Sequence, residues 1–133
     1  MTANLMPNAR AADEVINAQI VHLPSLAYES LSGPPPLGDM RSKTFVSVDG
    51  MTIAVQEGNV AKHTHPNTHE IQYIVSGEGK LSLGDAEHDV RAGDLIIIPK
   101  GVAHGGTKPV NGRFKAIAIK TPPQKPGDTV FIQ

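Results

Sequence analysis

The sequence predicts an all-β fold, a small sandwich or barrel, and three observations carry that prediction. From Lys43 onward seven short β-prone runs follow one another at regular spacing with turn residues between them. Asp49-Gly50 stands between KTFVSV and MTIAVQE, the strongest short hairpin signal a sequence offers. No segment outside this region has the length or periodicity of two packed helices, which also argues against a self-contained helix-turn-helix DNA reader.

Taken in order, the chain opens on a helix-compatible patch, ARAADEVINA, whose only substantial apolar side chains are Val15 and Ile16. Such a patch is marginal as a helix by itself. AQIVHL, residues 18–23, reads as a strand. SLSGPPPLGDM, residues 30–40, holds three consecutive prolines and two glycines, so it reads as a connector or arm with polyproline II character. After the predicted hairpin come EIQYIVS, GKLSLG, AEHDVRA, DLIIIP and RFKAIAIK, punctuated by Gly77-Glu78-Gly79, Gly84-Asp85, Ala92-Gly93 and Asn111-Gly112. The tail TPPQKPGDTVFIQ is proline-rich and ends in an apolar run from Val130 to Ile132. That run is expected to pair with an edge strand or to pack on a second subunit. The expected organisation is an arm at 1–17, a barrel at 18–120 and a tail at 121–133 packed on the barrel or on a partner.

Composition narrows the function. At 133 residues the chain is one domain of ordinary size. Twelve Lys plus Arg against thirteen Asp plus Glu leaves no basic block for a phosphate backbone, so no nucleic-acid partner is expected. The absence of cysteine excludes disulfides, thiolate metal sites and cysteine nucleophiles. No apolar stretch is long enough to span a membrane, and MTANLMPNARAADE lacks the basic-then-apolar order of a signal peptide. The expectation is a cytoplasmic protein, or a periplasmic one whose export signal has been removed.

The chemistry concentrates between Gly58 and Gly77. His63 and His65 are two residues apart, so on an extended strand their imidazoles share a face and can grip one ion. Pro66-Asn67 then favours a turn, after which HEIQYIV resumes β-type residues and can return a carboxylate, Glu70, beside the pair. Further on, GDLIIIPKGVAH runs an apolar strand into Pro99 and Gly101 and delivers His104 just past a tight turn. Gly101 is needed there because a Cβ penalises positive φ. Three histidines and a carboxylate suit one divalent transition metal, Fe, Mn, Ni, Zn or Cu.

These residues carry a resemblance. The run Gly58, His63, His65, Glu70, Gly77 is similar to the first motif of the cupin family, with one residue fewer between Gly58 and His63. Gly93, Pro99, Gly101 and His104 match the family's second motif at its spacing, with Lys108 standing where that motif has asparagine. The resemblance implies a double-stranded β-helix, or jelly-roll barrel, with His63, His65, Glu70 and His104 as metal ligands, and it implies a homodimer. His69 competes with Glu70, because only one of two adjacent strand residues can point inward. The resemblance favours Glu70. His22 and His88 have no motif around them and read as surface histidines.

Strand alternation extends the reading. If Glu70 faces the interior, Gln72 and Ile74 do as well, whereas Ile71, Tyr73 and Val75 face away. Gln72 is then a candidate substrate-binding amide. Lys108, four residues after His104, would share its side of a regular strand and could favour an anionic substrate. Arg113 and Lys115 read as rim charges. Glu57, Gln72, Tyr73 and Lys108 remain as general acid or base candidates, with Tyr73 disfavoured by parity. The function expected is metal-dependent chemistry on a small oxygen-bearing organic molecule, of dioxygenase, decarboxylase, isomerase or lyase type. The alternatives are a metal-containing binding or sensing module without turnover, and a structural zinc with a closed shell.

Overall fold

A computed structural model describes residues 14–33 and 38–132. Ten strands form two antiparallel sheets: β1 (Arg41–Val48), β2 (Met51–Glu57), β3 (His63–Thr64), β4 (His69–Ser76), β5 (Glu78–Leu83), β6 (Ala86–Arg91), β7 (Leu95–Ile98), β8 (His104–Pro109), β9 (Lys115–Thr121) and β10 (Val130–Phe131). The first sheet has the order β1-β2-β9-β4-β7 and the second β10-β3-β8-β5-β6. This is the expected double-stranded β-helix. The β1–β2 hairpin turns at Asp49-Gly50 with φ of 49° and 70°, the two left-handed residues that a tight turn of this hand requires.

The core follows from strand parity. On β7, Ile96 and Ile98 are buried while Leu95 and Ile97 are exposed, and on β4 Ile74 is buried while Tyr73 is exposed. Ile74, Leu81, Ile96, Ile98, Phe114 and Ala116 form one cluster between the sheets, with Leu83, Val90 and Val102 packed against it. Truncating a fully buried residue such as Ile74 to alanine costs about 2–5 kcal/mol. The inner face of β9 carries Ala116, Ala118 and then Lys120, with Ala118 opposite Gln72 on β4 and Ala54 on β2. Between the sheets lies a cavity of about 290 Å³, lined on β9 by the small Ala116 and by Lys120.

Several expectations are corrected. Of the helix-compatible patch, residues up to 13 lie outside the described part, and Val15 forms an antiparallel bridge to Ser47 rather than a helical turn. Residues 18–23 are not a strand: the segment runs irregularly into single 3-10 turns at Leu23–Ser25 and Tyr28–Ser30, and Ile20 is fully exposed. Pro24 has no N–H to give a ladder, and the carbonyls of Leu23, Pro24 and Leu26 are taken by the Lys115 ammonium at 2.9, 3.4 and 2.8 Å. Lys115 is therefore buried, also 3.7 Å from Glu57, and is no rim charge. Arg113 lies over the Tyr28 ring at 3.7 Å. The prolines of the connector lie outside the described residues, while Ser32 and Gly38 on either side bridge to Ser42 and Val60. The terminal apolar run does pair with an edge, β10 on β3. Among the described residues no helix is long and apolar enough to cross a membrane.

Candidate metal centre

His63 and His104 are directly opposed in the β3–β8 ladder, and His65 follows one alternation beyond His63. The three rings converge, with centroids 4.8 Å (His63–His65), 4.4 Å (His63–His104) and 5.1 Å (His65–His104) apart. Their ligand atoms lie within 4.8 Å of one another, and all three residues are buried. Glu70 enters from β4 of the facing sheet, so the cluster joins the two layers of the fold. Its Oε1 sits 3.3 Å from Nε2 of both His65 and His104.

Backbone carbonyls fix the imidazole tautomers. Nδ1 of His63, His65 and His104 approaches the carbonyls of Ala61, Asp128 and Val102 at 2.7, 2.8 and 3.0 Å. A carbonyl can only accept, so each Nδ1 carries the proton and each Nε2 is left with a lone pair. At His65 and His104 those lone pairs face a carboxylate oxygen. Glu70 Oε1 and His104 Nε2 are buried without a hydrogen-bond partner in the protein, for although 3.3 Å apart they are acceptor against acceptor. Burial also pushes the pKa of His63 down to about 4, against the pull of the Ala61 carbonyl, which keeps it neutral at physiological pH. Burial raises the Glu70 carboxyl; a proton or positive charge on the side of His104 and His65, together with the Lys120 charge, outweighs it and holds the group well below the usual carboxylate range, the role a bound cation takes up between these atoms. Convergent lone pairs around an ionised carboxylate are what a divalent cation satisfies, so the residues present fit a metal.

The turn chemistry read from the sequence ties the two halves of the site together. Gly101 has φ of +83° and its N–H donates to the carbonyl of His65 at 2.9 Å. Gly105 has a stricter role. With φ of +97°, a Cβ there would stand 2.9 Å from the Ala61 carbonyl and 3.2 Å from His63 Nδ1, so only glycine lets β8 pass behind the His63 ring.

Gln72 lines the cavity as alternation predicts, but its amide Nε2 donates to Glu70 Oε2 at 2.7 Å, which orients the carboxylate. His69 faces outward, its Nδ1 accepting from the Lys100 N–H at 3.0 Å. His22 and His88 are exposed. Lys108 is not beside the histidines. It is exposed and pairs with Glu87 at 2.5 Å on the outside of the second sheet. The reason is a bulge: Leu83 and Lys80 of β5, three residues apart, oppose His104 and Lys108 of β8, four apart. The extra residue at the left-handed Gly105-Gly106 reverses alternation, turning Thr107 inward and Lys108 outward.

Sequence reasoning missed three contributors. Lys120, opposite Glu70 across the β4–β9 ladder, is among the described residues the one lysine or arginine lining the cavity, and the alternation of KAIAIK is the signal that could have found it. Asp128 and Thr129 of the tail reach His65 Nδ1, through the Asp128 carbonyl at 2.8 Å and the Thr129 hydroxyl at 3.4 Å. The Asp128 carboxylate anchors the Pro66-Asn67 turn by accepting from the Asn67 N–H at 3.1 Å and its side-chain amide at 2.9 Å. No local pattern in the tail announces this.

Proteins of similar sequence and structure agree with this fold. A family model described as "Cupin domain" matches residues 50–120, and the chain belongs to the cupin family. It is 31% identical over 74 residues to Protein SchB of Streptomyces halstedii, covering 50% of this chain and 54% of that protein. It is 34% identical over 65 residues to acireductone dioxygenase 1 of Coprinopsis cinerea, covering 44% of this chain and 36% of that one. The chain thus spans about half or less of the length of these curated relatives. Among solved structures, the polyketide cyclase RemF of Streptomyces resistomycificus superposes with a TM-score of 0.65 at 22% identity, over 88% of this chain and 87% of that one.

Proposed function

We propose that this cupin holds one divalent transition metal on His63, His65, Glu70 and His104 and acts as an enzyme on a small oxygen-bearing organic molecule bound in the adjoining cavity. The observation that carries the reading is the set of buried, unpartnered lone pairs at Glu70 Oε1 and His104 Nε2. A metal bound there would supply Lewis-acid polarisation of a substrate oxygen or, as iron, a meeting point for O2 and substrate. The protein's own part is positional. Three backbone carbonyls hold the imidazoles in one tautomer, Gln72 holds Glu70, and the apolar walls from Ile74, Ile96, Ile98 and Phe114 exclude water. The names of the relatives, a dioxygenase and a polyketide cyclase, keep both redox and non-redox chemistry within this reading.

A homodimer belongs to the same proposal. The outer face of the first sheet carries Ile97, Ile71, Ile119 and Ile53 in one cross-strand row, and next to it Tyr73 and Leu95 are opposed and exposed. An apolar face of this extent supports isologous pairing with a second copy.

Elemental analysis of untagged protein purified without added metal tests the centre. Stoichiometric Fe, Mn, Ni, Zn or Cu in the wild type, lost in His65→Ala, supports the proposal and selects aerobic or anaerobic substrate screens. Full occupancy retained in both His65→Ala and His104→Ala overturns it. Bound metal with no turnover across those screens would move the protein to the binding-module reading.

A further inference from the structure

We infer that Lys120 is the residue that recognises the substrate, and that the substrate is a small carboxylate with an apolar body whose other oxygens reach the metal. The inference rests on the proposed metal centre and narrows it to a substrate class.

Three observations carry it. First, position: Lys120 is the register partner of Glu70 on the neighbouring strand, so its stem starts at the level of the metal ligands and lines the same cavity. Second, charge: among the described residues, Glu70 and Lys120 are the one acid and the one lysine or arginine that line the cavity. A divalent ion, one carboxylate and one ammonium leave a net charge of about +2 in a space walled by low-dielectric side chains, which favours an anion. Third, unused donors: of the three ammonium protons, one goes to Gln124 Oε1 at 2.8 Å, and Lys120 has no carboxylate partner among the described residues. Glu70 does not serve as one, since its Oε2 is held by Gln72 and its Oε1 faces His65 and His104. Lys120 is half-buried and its bond to Gln124 is open to solvent, so its remaining donors are free to exchange water for a substrate carboxylate.

The tail links Lys120 to the histidine cluster. Gln124 accepts from Lys120 with its oxygen and donates with its amide to the Thr129 hydroxyl, which stands 3.4 Å from His65 Nδ1. Lys120 is therefore linked through Gln124 to a segment that also touches His65. Gln124 acts through Lys120 and is a positioning residue. Ile96, Ile98 and Phe114 wall the rest of the cavity, which sets the apolar character of the substrate body.

The test uses cobalt(II)-loaded full-length protein, whose visible ligand-field bands report both metal uptake and ligand binding, with two probes of equal chelating chemistry: catechol and 3,4-dihydroxybenzoate. Wild type is expected to bind the carboxylated probe at least about tenfold more tightly, the size of one charge-assisted hydrogen bond. Lys120→Met should erase that preference through loss of dihydroxybenzoate affinity, and Lys120→Arg should keep part of it. Gln124→Ala, which retains the charge, should reduce the preference with unchanged cobalt stoichiometry, and it decides the matter should Lys120→Met prove too unstable to load. Cobalt uptake with equal affinity for both probes in wild type, or a preference that survives Lys120→Met, overturns the assignment of Lys120 alone. No cobalt uptake by wild type overturns the metal centre and this inference together.

Discussion

Gln72 donates its side-chain amide to Glu70 Oε2 at 2.7 Å from two residues further along the same strand. The bond leaves Oε1 as the carboxylate oxygen directed at His65 and His104, so an uncharged residue sets the direction of the acidic group in the cavity. Gln72→Leu should weaken metal affinity by about 10- to 100-fold while leaving the fold intact. Competition against a chromogenic chelator measures it, and unchanged affinity would assign Gln72 to the cavity wall only.

Histidine substitutions separate the site from the surface. His65→Ala and His104→Ala are expected to lower metal occupancy strongly, whereas His22→Ala and His88→Ala, on exposed positions, should leave it at the wild-type level. Elemental analysis of the four variants in parallel gives the answer. Loss in the surface pair would point to adventitious binding elsewhere.

Acid should undo the centre before it undoes the rest of the barrel. His63 has a folded pKa of about 4 against an ordinary 6.5, so between these values the unfolded chain binds more protons and metal-free stability falls as pH falls. Glu70, held well below its ordinary 4.5, acts in the same direction at lower pH, its contribution present above that value and lost on further acidification. The melting temperature of metal-free protein should therefore decline from pH 6.5 toward 4, and His63→Gln should flatten the upper part of the decline. An equally steep decline in that variant would remove His63 as its source.

Gly105→Ala tests the close passage behind His63. The new Cβ would meet the Ala61 carbonyl at 2.9 Å and the His63 ring at 3.2 Å in a backbone conformation with φ of +97°. A loss of about 1–3 kcal/mol is expected, together with weaker metal binding. Denaturant melts and chelator competition read the two effects. Gly84→Ala, where φ is +65° but the space is open, should show the backbone cost without the metal defect.

The apolar outer face predicts the assembly. Ile97→Lys or Leu95→Glu, both at exposed positions on the edge strand β7, should shift the protein from dimer to monomer in light scattering without changing metal content. A wild-type protein that is already monomeric would remove the dimer from the proposal.

Much of this molecule is legible in its sequence, because the signals are local. A hairpin at Asp49-Gly50 needs two residues that tolerate positive φ, and alternation of exposure along DLIIIP or HEIQYIV is a property of the extended backbone itself. The proximity of His63 and His65, the inward turn of Glu70 with Gln72 and the delivery of His104 by Pro99 and Gly101 follow from the same rule. Where it broke, so did the reading. One extra residue in β8 at Gly105-Gly106 sent Lys108 out to Glu87, and a bulge depends on the partner strand. The carbonyls that seize Lys115 and the placement of Asp128 and Thr129 against His65 were decided by the packing of the N-terminal 3-10 segment and of the tail onto the sheets. Those contacts join residues more than sixty positions apart in the chain, and side-chain periodicity carries no information about which distant strand will supply the neighbour.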